Sequence, residues 1–276
     1  MPADYLSMLP EDFTLLDLAA IAFLFLAWMG YSPLLSAWHR GTLNVQLSSV
    51  RQSWMTHSCC RENPTFDAVL LGHILNSTAF FGSATLLVMA GLFGTLANVK
   101  GVYGLVRDLA FIQPISADLF TLKLGLVGLV LTISFFSFTY ALRKLIYSVA
   151  LIGALSQQSA PRFSLNPSLD PSLNSSANRQ ASPAVEDAQT AKRQERMVAA
   201  AATVLTEGLK SFNSGIRGYY FGVAALFYFV SAQACLLVSA LVLAMLIYRQ
   251  IGTPTARVDG LRLEVYLPRF ATTSMR

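Results

Sequence analysis

Seven side chains in this sequence have the types that would hold an anion. They are Tyr31, His73, Asn76, Tyr140, Arg143, Asn213 and Arg217, each near the same end of a long apolar stretch. Guanidinium forks match carboxylate or phosphate, and hydroxyl and amide groups add donors. Ionisable and amide groups inside membrane spans are functional candidates by default. A simpler reading competes with this inner polar pocket. It gives Arg143 and Arg217 to the headgroups, Tyr31 and Tyr140 to the aromatic belt, and Asn76 to bonding between helices.

Other chemistry finds less support. His57, Cys59 and Cys60 are metal-ligand types, but no second pair lies at zinc-finger spacing and the chain has three histidines. No Walker A loop, dinucleotide glycine fingerprint, HExxH or G-x-S-x-G occurs. A single membrane histidine, His73, is weak ground for haem. No cofactor, metal site or catalytic residue is therefore expected. Asp17 and Lys123 lie just inside the ends of two spans, where snorkelling to water is the simpler reading. Gln233 is read as mid-span, in a structural hydrogen bond.

These residues ride on an all-α membrane protein. The chain has 276 residues, 54% hydrophobic and 13% charged, against roughly 25% charged in soluble domains. Its net charge of +5 is spread over loops and tail, which suits a membrane surface and not nucleic acid. Between Asp67 and Lys100 lie 32 residues without a carboxylate, lysine or arginine, ample for a hydrocarbon core of about 30 Å. Four spans are predicted, at about 13–38, 69–96, 117–142 and 218–248. The first three, with an amphipathic segment at 42–56, make a membrane domain over 1–154.

Gly72, Asn76, Ala79, Ser83, Ala90 and Gly94 form a small-residue stripe on the second span. Thr121, Gly125, Gly128 and Thr132 form another on the third. Small residues let membrane helices approach closely. The two stripes are expected to face each other, with the second span at the bundle centre.

Residues 155–184 are rich in Ser, Asn and Pro, a composition expected to be disordered. Over 185–250 a helix leads into the fourth span, with Val198, Ala202, Leu205, Leu209, Phe212 and Ile216 at heptad-like spacing. That seam is expected to dock on Leu43, Leu47, Val50 and Trp54 of the amphipathic segment in preference to pairing two protomers. The tail, 251–276, is arginine-containing and extended; its alternation over Leu261–Leu267 reads as one strand. Four spans put both termini on one side. Counting Arg and Lys in the loops puts that side outside the cytoplasm, although the tail arginines oppose it.

Three segments carry a resemblance: Arg51-Gln52-Ser53-Trp54-Met55, Ile74-Leu75-Asn76-Ser77-Thr78-Ala79-Phe80-Phe81, and Phe212-Asn213-Ser214-Gly215-Ile216-Arg217-Gly218-Tyr219-Tyr220-Phe221. The chain resembles the integral-membrane family catalogued as domain of unknown function 599, from the first span to Arg249 apart from the linker. The resemblance implies a four-helix membrane protein of bacteria and plants. It implies no activity and carries over no catalytic residue.

The expectation is a multi-pass protein of the bacterial inner membrane. Its partners are the lipid bilayer and other membrane proteins or a second copy of itself. A non-catalytic accessory or interaction subunit fits the flexible linker and the absent reaction motif. The alternative is a small oligomeric channel or transporter for ions or organic anions.

Overall fold

The computed structural model describes residues 10–38, 43–58, 61, 65–107, 115–157 and 183–251. The linker beyond Gln157, the arginine tail with its alternating segment, and Cys59 and Cys60 lie outside the described residues. Within them the chain is helical, with no strand: α1 (Leu15–Trp38), α2 (Leu43–Ser58), α3 (Thr65–Ala97), α4 (Val99–Val106), α5 (Ala117–Gln157), α6 (Pro183–Leu226) and α7 (Ala232–Ile251). Four stretches are long and apolar enough to cross a membrane: Leu15–Leu35, Thr65–Ala97, Ala117–Ala154 and Ala232–Gln250.

The central pair is α5 and α6, antiparallel along most of their length. Lys144 Nζ meets Ser211 Oγ at 3.3 Å at one level, and Lys123 Nζ donates to Tyr228 O at 2.8 Å at another. Along this pair the glycines of α6 rest on α5. A Cβ at Gly208 would stand 3.1 Å from Leu145, and one at Gly215 would stand 2.6 Å from the Phe138 ring. Gly218 lies against Ser134. Without Cβ atoms the two backbones come close, and dispersion contacts replace the absent hydrophobic drive between membrane helices.

The expected span 218–248 is not one crossing. Helix α6 ends at Leu226, a 3-10 turn follows at Phe227–Phe229, and α7 starts at Ala232. Ser231 caps α7, its Oγ accepting Ala234 N–H at 3.0 Å. The chain then doubles back: Arg249 Nη1 lies 3.4 Å from Tyr220 Oη, 29 residues earlier. A continuous helix would hold those residues about 43 Å apart. The run without formal charge is thus split into two limbs of a hairpin. Lys123 sits on its turn, a cation at the carbonyl end of α6. Gln233 lies exposed at the start of α7, not mid-span.

Helix α1 runs parallel to α7, from Asp17 near Tyr228 to Tyr31, whose hydroxyl donates to Leu246 O at 3.3 Å. The described chain therefore begins and ends at opposite ends of the bundle. The expectation of both termini on one side concerns residues outside those described; within them, the hairpin puts Asp17 and Gln250 at opposite ends because α6 and α7 are separate helices that hydropathy alone merges.

The bundle centre is α5, and α3 is peripheral. On α3 the packed line is Leu71, Thr78, Thr85 and Leu92, while Asn76, Ala79, Ser83, Ala90 and Gly94 of the expected stripe are exposed and Gly72 is half-buried. One residue along a helix is about 100° of rotation, so the two lines differ by a single step. Thr78 and Thr85 donate back to Ile74 O and Phe81 O at 2.9 and 2.7 Å. Thr78 spends its polarity within α3 and packs as a branched apolar residue, whereas the Thr85 hydroxyl also meets Tyr219 Oη of α6. On α5, Gly128 touches Leu92 of α3, Thr132 is half-buried, and Thr121 and Gly125 are exposed.

Past Lys144 the helices continue as a stalk with its own core. Met55 of α2, Leu71 of α3, Leu145 and Ile152 of α5, and Ala201, Ala202 and Leu205 of α6 are all buried in it. Arg51 Nε donates to Thr206 Oγ1 at 3.0 Å. The α2 seam differs from expectation: Leu47 and Val50 are exposed, and Met55 takes the buried position.

Candidate functional site

The seven expected pocket residues do not converge. His73 and Asn76 are exposed on α3, Asn213 on α6, and Tyr140 and Arg143 on α5. Arg143 Nε donates to Tyr147 Oη at 2.6 Å, and Lys144 Nζ stands 4.3 Å over the Tyr140 ring. Those groups end the 19-residue charge-free run 124–142 of α5, where cations and aromatic rings suit the headgroups. Tyr140 and Arg143 line an open groove of about 530 Å³ with Ile133, Phe136, Ser137 and Ser214.

Two of the seven do meet. Arg217 Cζ lies 5.2 Å from the centroid of the Tyr31 ring. Tyr31 is buried in the main apolar cluster among α1, α5, α6 and α7. Arg217 is six residues along α6 from Ser211, so it lies about 9 Å further into the bundle than the Lys144 level. Its Nε is buried and has no hydrogen-bond partner. No carboxylate of the described residues pairs with it. Gln250, from the end of α7, lies beside the Tyr31 hydroxyl, and its Oε1 is also buried without a partner. The sequence offered Arg217 and Tyr31. Gln250 escaped it because only the hairpin returns α7 to this level.

A second polar cluster sits at the opposite end. Lys123 is 1% exposed and Asp17 6%, so neither snorkels to water. The Lys123 ammonium donates to Tyr228 O and lies 4.3 Å over the Tyr228 ring. Asp17 Oδ2 accepts from Thr14 N and Oγ1 at 2.9 and 2.6 Å. Just beyond, Asp12 takes Ser116 N and Oγ, both at 2.6 Å, tying the chain before α1 to the start of α5. Burial pushes the Asp12 carboxyl up, but the Ser116 bonds outweigh it and hold the group below its ordinary 3.8.

A third cluster was missed altogether. Asp67, fully buried at the head of α3, accepts from Trp54 Nε1 at 2.7 Å, Ser58 Oγ at 2.7 Å and Arg61 Nη1 at 2.8 Å. It locks α2 to α3. The only sequence signal was its position as the last acid before the apolar run.

Between these clusters Phe81, Phe138, Phe212 and Tyr219 pack ring to ring across α3, α5 and α6, with centroids 5.4 to 5.8 Å apart. The Tyr219 and Thr85 hydroxyls, 2.5 Å apart, both reach Phe81 O. Among the described residues no group of three or more His, Cys, Asp or Glu could hold a metal ion, and His57 Nδ1 lies 2.8 Å from Ser53 O within its own helix.

The segments behind the resemblance are thus contact segments. The first supplies Arg51, Trp54 and Met55 to the stalk. The second supplies Thr78 and Phe81, and the third supplies Phe212, Gly215, Arg217, Gly218 and Tyr219. A family model described as "Protein of unknown function, DUF599" matches residues 19–255. The chain belongs to the DUF599 family. That match covers all seven helices but the first turn of α1, and so contains the hairpin and all the clusters except Asp12 and Asp17. No curated protein and no solved structure matches the chain.

Proposed function

We propose that this DUF599 chain is a non-catalytic membrane protein that holds a rigid cytoplasmic stalk out to another membrane or peripheral protein. The stalk carries the proposal. From Lys144 to Gln157, α5 extends about 20 Å past the bundle, and from Ser211 back to Pro183, α6 extends about 42 Å, at 1.5 Å per residue. A helical pair with its own core and a buried carboxylate lock is costly to maintain unless its surface is used. That surface offers Leu47 and Val50, exposed on α2, beside a groove of about 340 Å³ lined by Ser48, Gln52, Ala199, Thr203, Glu207 and Lys210. We read the protein as lying in the bacterial inner membrane, with its N-terminus outside and its C-terminus in the cytoplasm. Counting charges supports that orientation. Arg51, Arg61, Arg143, Lys144, Lys210 and Arg249 gather at the stalk end, and with α7 ending there the tail arginines no longer oppose the count.

The test is affinity purification of the full chain in mild detergent, beside a Leu47→Glu/Val50→Glu variant. A protein that co-purifies with the parent and is lost from the variant is the expected result. Recovery of the parent alone, as a monomer, overturns the reading. Arg217 favours a second reading, an oligomeric channel or transporter for organic anions. Proteoliposome flux of citrate and phosphate that Arg217→Gln abolishes would establish it.

A further inference from the structure

We propose that Arg217, Tyr31 and Gln250 form a seat for one phosphate- or carboxylate-bearing anion, reached from the stalk end of the bundle. The proposal stands apart from the stalk reading, and neither depends on the other. A charged group in a membrane interior is expensive, and buried charges are ordinarily paired. Arg217 is pointed into the bundle beside the Tyr31 ring with its Nε buried and unbonded, and no described carboxylate answers it. The Tyr31 ring face offsets part of the cost. It does not fill the guanidinium's hydrogen-bonding capacity, which is five N–H donors in a fixed fork.

The surroundings select for an anion. Gln250 has an unpartnered Oε1, and an amide turned about its last bond offers an N–H at the same place. Tyr220 Oη lies one turn from Arg217 and already meets the Arg249 guanidinium at 3.4 Å. Cationic and amide donors therefore converge at one level on α6 and α7, while the walls from α1 and α7 are apolar, including Leu35 and Leu246. An oxyanion accepts from the Arg217 fork and from an amide N–H of Gln250 at once and balances the guanidinium charge, which a neutral ligand does not do and a cationic one opposes. The depth, about 9 Å inside the Lys144 level, lies within reach of an inner-leaflet phosphate drawn inward and equally of a small anion from the cytoplasm.

Purified full-length protein in dodecyl maltoside discriminates the sources. Native mass spectrometry with added phosphatidylglycerol or phosphatidylcholine reads lipid binding. Thermal stabilisation by inorganic phosphate or citrate, with no lipid added, reads soluble anions. The parent should retain one phosphatidylglycerol, or gain stability with phosphate or citrate, with about tenfold weaker binding in Arg217→Gln. Phosphatidylcholine should show no such difference. Arg217→Lys keeps the charge, loses the fork, and should fall between the two. It serves as the comparison if the glutamine variant does not fold. Equal retention of every anion by parent and variant, with both eluting as the same folded species, overturns the proposal.

Discussion

Gly218 of α6 rests directly on the Ser134 side chain of α5, and a Cβ at position 218 would overlap Ser134 Oγ and come within 3.2 Å of Trp28. Among the described glycines this is the tightest approach. Ser134 Oγ already donates to Val130 O at 2.8 Å, so its hydroxyl cannot swing away without losing that bond. Gly218→Ala should lower stability by about 1–3 kcal/mol through overpacking. Adding Ser134→Gly should recover most of the loss. Thermal loss of helicity in detergent measures both, and a single variant as stable as the parent would contradict the packing.

Lys123 holds the hairpin turn through Tyr228 O. Lys123→Ala leaves that carbonyl without its charged donor and opens a void, a loss of about 2–3 kcal/mol. With the native cysteines replaced by serine and Val230→Cys introduced, the turn should label faster with a maleimide in the Lys123→Ala background. Unchanged labelling would mean that the turn stands without the lysine.

Asp67 should matter more for the stalk than any exposed charge. Asp67→Ala strands Trp54 Nε1 and Ser58 Oγ and frees Arg61, at about 2–3 kcal/mol. Asp67→Asn keeps an acceptor and should cost less. Tryptophan emission should shift to the red in the alanine variant, and detergent melting should show the stability order parent, asparagine, alanine.

The clasp between Asp12 and Ser116 predicts a pH dependence. The folded Asp12 carboxyl lies below its ordinary 3.8. Its contribution is therefore fully present above that value and is lost as pH falls through the lower, folded value. The stability difference between the parent and Asp12→Asn should be constant from pH 7 down to pH 5 and shrink below pH 3.8. A difference that grew on acidification would rule out the clasp as drawn.

The hairpin makes a prediction about sides. In a cysteine-free background, Glu11→Cys and Thr253→Cys should react with an impermeant maleimide from opposite faces of the membrane. Labelling of both from one face would remove the α6–α7 reversal.

How much was readable beforehand differs from residue to residue. Arg217 and Tyr31 could be grouped in advance, with five other residues, because all lay near the same end of apolar runs. His73, Asn76 and Asn213 met the same criterion and face outward, since depth says nothing about rotation. The stripe on α3 shows the same gap. Gly72, Ala79 and Ser83 are as regular in sequence as Leu71, Thr78 and Thr85, and one step of register separates burial from exposure. Thr78, which bonds its own helix, is apolar to its neighbours, which no residue-type pattern records.

The sequence by itself located three of the four stretches long and apolar enough to cross a membrane, because a run of bilayer length without formal charge has few other uses. It also determined the helical class and the family. Only the tertiary structure decided that residues 218–248 turn back at Phe227–Phe229, that α5 and not α3 is the centre, and which polar groups meet. Those outcomes rest on contacts between residues far apart in the chain: Lys123 on Tyr228, Gly218 on Ser134, Arg249 near Tyr220. Hydropathy averages along the chain, so it cannot tell one long helix from two shorter ones joined by a turn. Lys123 across the bundle made that distinction.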